Sequence, residues 1–443
     1  MMKGARWLGF LLALSLIVGL ATPFGQTANA SGVKIDTLLT QQLAQLAPGA
    51  TLDAILTYDH TPTSEDLAAA QATGVLVHQF QVLPMLAVRG TADQIRATFS
   101  LNGVTTAYLN KRLHYLMNQS VKTIGADRVW NELGFTGRGI GVAVLDSGVD
   151  GTHPDLQPAM TQNVKILTPN FFTSGSSSIA VGLPNSDTSS GHGTHVAGTI
   201  GGRGTASSGY YRGVAPGSKL IGIGAGDTIT ILFALEGFDY VLANTSRYNI
   251  RVVSNSWGTS GMFDADDPIN VASKLAHDAG IAVVFASGNA GPDQNTLNPY
   301  SVAPWVIGVA AGNKDGRTLA DFSSRGIPGN ATYHPTITAP GVDIVSTRAP
   351  NSMLPLLAIT DDINISPTWI PYYTTMSGTS MAAPHISGVL ALMLEAKPSL
   401  TPDALKNILI QTATPMTGYQ EFEVGAGYVN AHAAVRQAMT QTR

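Results

Sequence analysis

The chain has 443 residues, of which 44% are hydrophobic and 12% charged, a composition that excludes a disordered chain and allows a large buried core. A formal net charge of −4 supplies no basic field to gather nucleic acid or an anionic membrane surface, so neither is expected as a partner. The absence of cysteine excludes disulfides, thiolate zinc sites and a cysteine nucleophile together.

The first element in chain order is a targeting segment. Lys3 and Arg6 precede the apolar run 7–20, and Ala28-Asn29-Ala30 has the small-residue pattern of a cleavage site. Residues 1–30 are therefore expected to be a secretory signal peptide, cut after Ala30, and the mature protein to be extracellular. The apolar run is shorter than the roughly 20 residues of a spanning helix, so no membrane anchor is expected after cleavage.

Length alone leads one to expect about two or three folding units, one of them small. Residues 52–58 (LDAILTY) read as a strand, and Ser64 opens a helix rich in alanine that ends at Gly74. Two strands follow over 75–82 and 83–90, then a helix over 91–100 and a closing strand over 104–109. This βαββαβ order is the ferredoxin-like arrangement, and residues 31–115 are expected to form a small α+β domain.

Beyond Gln119 the texture changes to apolar strands divided by glycine-rich turns and helices. GIGVAVLD, KLIGIGA, IRVVSNSWG, GIAVVFASGN and WVIGVAA are near-continuous apolar runs, as expected of strands covered on both faces. Helices are predicted over 192–201, 230–245, 268–279 and 380–396. The expectation for residues 116–443 is an α/β domain with a doubly wound, mostly parallel sheet. Residues 168–187 and 349–373 read as long surface loops.

Open parallel sheets bind ligands where their strands end, so polar residues there are candidates for chemistry. Asp146 closes the strand Val142-Ala143-Val144-Leu145; taken alone, an Asp there also suits a turn or helix cap. His192 lies in GHGTHVAG, where small neighbours allow another backbone to approach the ring. The pair His192 and His195 could share a helical face, yet hydrolytic zinc motifs place an acidic residue between histidines four apart, which this pair lacks. Ser380 stands at the entrance of an apolar helix. It suits an N-cap, and it suits a nucleophile whose oxyanion would meet unpaired helical N–H groups.

The chain order Asp, His, Ser differs from the Ser, Asp, His order of α/β-hydrolases and the His, Asp, Ser order of chymotrypsin-like enzymes. AVLDSGVDGTHPDL, GHGTHVAGTI and MSGTSMAAPHISGVLALM closely resemble the three active-site signatures of subtilisin-like serine peptidases, over about 123–434. The resemblance implies a serine endopeptidase with Asp146, His192 and Ser380 as its triad and polypeptides as substrates. It needs no cofactor for catalysis, and a monomer is expected. ASGNAG (286–291) resembles the segment with the oxyanion-hole asparagine, which makes Asn289 the donor. By the same resemblance Ser256, Trp257 and Gly258 line one side of the substrate cleft and Ala286, Ser287 and Gly288 the other. Nothing acidic stands out there or in 297–300, the third segment on which the P1 pocket depends, so apolar or aromatic P1 residues are expected.

Asp155 matches a carboxylate of a structural calcium site in well-known members. The loop after the histidine helix, GRGTASSG (202–209), lacks the asparagine that also serves that site. Calcium at Asp155 is therefore carried forward as a candidate. The segment 31–115 resembles the inhibitory propeptide of such enzymes, so self-cleavage is expected between about Asn110 and Gln119. Two other functions compete: an inactive homologue kept for binding, and the serine-carboxyl peptidases, which share the serine motif but use a glutamate base. His192 in GHGTH argues against the latter.

Overall fold

In a computed structural model, the described residues are 32–80, 82–110, 119–167, 178–227, 229–350, 353 and 362–441. The predicted signal peptide, the proposed cleavage region 111–118 and part of each long loop lie outside them. The chain divides into two compact units, Met1–His114 and Tyr115–Arg443.

The first unit is a five-stranded sheet of β1 (Lys34–Ile35), β2 (Leu52–Tyr58), β3 (Leu76–Gln79), β4 (Met85–Gly90) and β5 (Val104–Leu109), in the order β1-β5-β2-β4-β3. The strands from β2 onward, with helices Ser64–Ala72 and Ala92–Thr98, give the predicted βαββαβ order. Thr63 and Asp66 form a capping box that starts the first of these helices. Leu39, Leu56, Leu86 and Ile95 are fully buried between sheet and helices. The short β1 and helix Thr37–Gln45 were not foreseen; β1 pairs only two residues, parallel to β5.

The second unit is the predicted doubly wound α/β fold. Its eight-stranded sheet comprises β6 (Gly141–Asp146), β7 (Met160–Ile166), β8 (Ile179–Val181), β9 (Lys219–Gly224), β10 (Ile250–Asn255), β11 (Ala282–Ala286), β12 (Val306–Gly312) and β13 (Ile337–Pro340). Their order is β13-β12-β11-β10-β6-β9-β7-β8, and only the β7–β8 edge is antiparallel. Alternate residues feed two cores. Val142 and Val144 of β6 pack with helices His192–Gly201 and Thr379–Ala396, while Ala143 and Leu145 pack with helices Ile231–Tyr248 and Pro268–Asp278. Each large side chain so buried contributes roughly 1.5–3 kcal/mol. A hairpin of β14 (Ile344–Thr347) and β15 (Tyr373–Met376) lies outside this sheet, against helix His192–Gly201.

Candidate active site

β11, β10 and β6 are adjacent and parallel, so their C-terminal ends share one edge. That edge gathers Asp146, the segment Ser256-Trp257-Gly258 after β10, and the segment after Ala286 at the end of β11. Residues more than a hundred positions apart converge where an open α/β sheet binds ligands.

Asp146 is almost fully buried, and its Oδ1 accepts from the Ser147 N–H at 2.8 Å and from His192 Nδ1 at 2.7 Å. His192 is the first residue of its helix. Gly193 permits this closeness, because a Cβ there would lie 2.2 Å from the Gly148 carbonyl oxygen and 3.0 Å from Asp146 Cβ. Burial disfavours the imidazolium of His192, but the Asp146 carboxylate and the charge of Asp187 outweigh it and raise its pKa.

His195 turns away from His192. It is fully buried, and its Nε2 reaches the carbonyls of Ile344 at 2.9 Å and Thr374 at 3.2 Å. Burial lowers its pKa to about 3, so it stays neutral and donates to the β14–β15 hairpin. The paired-histidine metal reading fails on this geometry.

Ser380 is the second residue of helix Thr379–Ala396. Pro384 has no N–H for the Ser380 carbonyl one turn back, and that carbonyl accepts instead from Ser256 Oγ at 2.9 Å. Ser380 Oγ donates to the Ser256 carbonyl at 3.0 Å. The hydroxyl is thus held on the Ser256 carbonyl. The Ser380 N–H, in the first helical turn, has no intrahelical acceptor.

Asn289 Oδ1 accepts from Thr379 N at 2.8 Å and Thr379 Oγ1 at 2.9 Å. An N–H can only donate, so the amide oxygen faces Thr379 and the NH2 is the outward end. A pocket of about 330 Å³ beside Ser380 is lined by Trp257, Gly258, Ala286, Gly288, Asn289 and Asn298, among others, and by no charged residue.

One expectation about the walls needs correction. Ser287 is fully buried, with its N–H on the Val309 carbonyl and its carbonyl taken by Asn298 N, so it belongs to the sheet interior rather than the cleft surface. Trp257 lines the pocket, but its indole N–H donates to the Leu145 carbonyl at 2.8 Å and its ring meets Phe285 edge-on. The ring therefore also anchors the wall to the core. Within 297–300, a segment the sequence ties to the pocket without singling out a residue, Asn298 Nδ2 donates to the carbonyls of Trp257 and Ala286 at 3.1 and 2.9 Å, joining both walls. Gly258 makes room for it, since a Cβ would lie 2.2 Å from Asn298 Nδ2. No motif marks this asparagine.

Asp155 does not fit a calcium ion. Its fully buried carboxylate accepts from Ala206 N at 2.9 Å, Gly204 N at 3.1 Å and Tyr373 Oη at 2.8 Å. The loop thus turns N–H groups toward the oxygens, where a cation site needs further oxygen ligands. Among the described residues no group of three or more His, Cys, Asp or Glu side chains could hold a metal.

Known proteins resemble the chain in sequence and in fold. The family model described as the subtilase family matches residues 137–428. Serine protease AprX of Bacillus subtilis is 34% identical over 357 residues, covering 75% of each chain. Subtilisin DY of Bacillus licheniformis is 30% identical over 321 residues, 71% of this chain and 97% of its own. Among solved structures, sphericase aligns with a TM-score of 0.55 at 27% identity, over 69% of this chain and 97% of its own.

Proposed function

The chain belongs to the subtilase family and is a serine endopeptidase, and from this premise we propose that Asp146, His192 and Ser380 are its catalytic triad. The observation that carries the proposal is the 2.7 Å contact of His192 Nδ1 with the buried Asp146 carboxylate, at the sheet edge where Ser380 opens a helix. Ser380 Oγ leaves the Ser256 carbonyl, passes its proton to His192 Nε2 and attacks the scissile carbonyl carbon. Asp146 holds the ring with Nε2 toward the serine and stabilises the imidazolium. The Ser380 N–H and Asn289 Nδ2 receive the oxyanion. His192 then protonates the leaving amine, and water hydrolyses the acyl-enzyme with the same histidine as base.

The uncharged pocket beside Ser380 supports cleavage after uncharged, preferentially apolar or aromatic, P1 residues. The N-terminal pattern of residues 1–30 supports export, and among the described residues no helix is long and apolar enough to cross a membrane. The ferredoxin-like unit between that pattern and the catalytic unit supports an enzyme made as an autoprocessed precursor with an inhibitory propeptide. Ser380→Ala tests the triad: peptide hydrolysis should fall to near background while the circular dichroism spectrum is kept. Turnover like that of the parent would overturn it.

A further inference from the structure

Asp187 is a buried carboxylate that the catalytic cycle above does not use. It is 1% exposed, and among the described residues its carboxylate oxygens bond to the residues around His192. Its Oδ1 accepts from Gly191 N at 2.9 Å and Ser147 Oγ at 3.3 Å; its Oδ2 accepts from Thr194 N at 3.1 Å and Thr194 Oγ1 at 2.6 Å. Thr194 Oγ1 meanwhile accepts from Asp150 N at 2.9 Å, so its single proton is committed to Asp187. Ser147 Oγ accepts in turn from Gly193 N at 2.9 Å. One carboxylate thereby ties the residues on both sides of His192 to the turn that follows Asp146.

We infer that Asp187 is a positioning residue for the general base, setting the place of the His192 ring and adding negative charge to that of Asp146. This rests on the triad proposed above. The charged and titratable groups facing His192 are Asp146, Asp187 and His195, and beyond His195 lies His385. The two neutral histidines are deeply buried, which leaves Asp187 as the second negative charge on the ring. The nearby Asp150 carboxylate is engaged by Thr152, through its N–H at 3.0 Å and its Oγ1 at 2.6 Å.

Asp187→Asn keeps the shape but removes the charge and sets an NH2 against donors. kcat should fall roughly 10- to 100-fold, as for a slightly misplaced base, with KM nearly unchanged. Because the base works only when neutral, a weaker negative field should move the acid limb of the kcat profile to lower pH. Thr194→Val keeps the charge but loses the hydroxyl donor, so kcat should fall with the acid limb in place. Parental kcat and an unmoved limb in Asp187→Asn, with parental kcat in Thr194→Val, would overturn the role while a dead Ser380→Ala still upheld the triad. If Asp187→Asn does not fold, kcat of Thr194→Val decides alone: a fall supports the role and parental kcat overturns it.

Discussion

Asn289 is held by Thr379, the residue immediately before Ser380, through two hydrogen bonds to the same amide oxygen, at 2.8 and 2.9 Å. Gly288 N donates to Thr379 Oγ1 at 3.1 Å, so that hydroxyl spends its own proton on Asn289. The outward amide NH2 is thus oriented before substrate arrives, and no reorganisation is needed as charge develops on the carbonyl oxygen.

Asn289→Ala should therefore lower kcat by roughly 10²–10³, the effect of deleting an oxyanion donor in a subtilisin, with little change in KM. Asn289→Asp keeps the acceptor for Thr379 but loses the donor, and should be at least as impaired. Steady-state kinetics on a peptide amide decides. A change confined to KM would assign Asn289 to substrate binding or to the turn alone.

The hydrogen bonds around Asp155 make a second prediction, about stability. Tyr373→Phe removes one of three donors to a buried carboxylate and should cost about 1–3 kcal/mol, seen as a lower thermal midpoint. Measured in a Ser380→Ala background to prevent self-digestion, the effect of calcium against chelator should be the same with Asp155 or with Asp155→Asn. A calcium-dependent midpoint that disappears in Asp155→Asn would place an ion there.

A third prediction follows from the N-terminal unit, which has its own core around Leu39, Leu56, Leu86 and Ile95. A mostly parallel sheet with long-range pairings folds slowly, and a pre-folded partner helps by lowering the cost of loop closure. The Ser380→Ala chain should accumulate as an uncut precursor, and the fragment 31–115 should inhibit the mature enzyme when added separately. N-terminal sequencing and an inhibition titration check this. An active form that retains residues 51–109 covalently, and no inhibition by the fragment, would make the unit a permanent module.

Much of this was legible in the sequence because the strongest signals are local. The five apolar runs identify β6, β9, β10, β11 and β12, and three motifs identify the residues at their ends or at helix starts. β13 and the β14–β15 hairpin were missed because each strand is four residues long and includes Ser or Thr, without the periodicity of a longer strand. The roles of Asp187 and Asn298 depend on contacts made after folding. Asn298 joins the end of β11 to the segment after β10, 41 positions from Trp257. The poor fit of Asp155 to calcium was only half visible, since the absence of the asparagine shows in the sequence but Tyr373, which donates to Asp155, lies 218 residues away. The hydrogen bond from Ser380 Oγ to the Ser256 carbonyl has no sequence signal.

The triad is tested most directly by covalent labelling of the mature enzyme with a fluorophosphonate, followed by peptide mapping. Only a serine activated by a neighbouring base reacts quickly with such a reagent. The label is expected on Ser380, at a rate that falls with pH as His192 becomes protonated and that collapses in His192→Ala. Rapid labelling of another serine, or of Ser380 undiminished in His192→Ala, would contradict the assignment of Asp146, His192 and Ser380 as one catalytic unit.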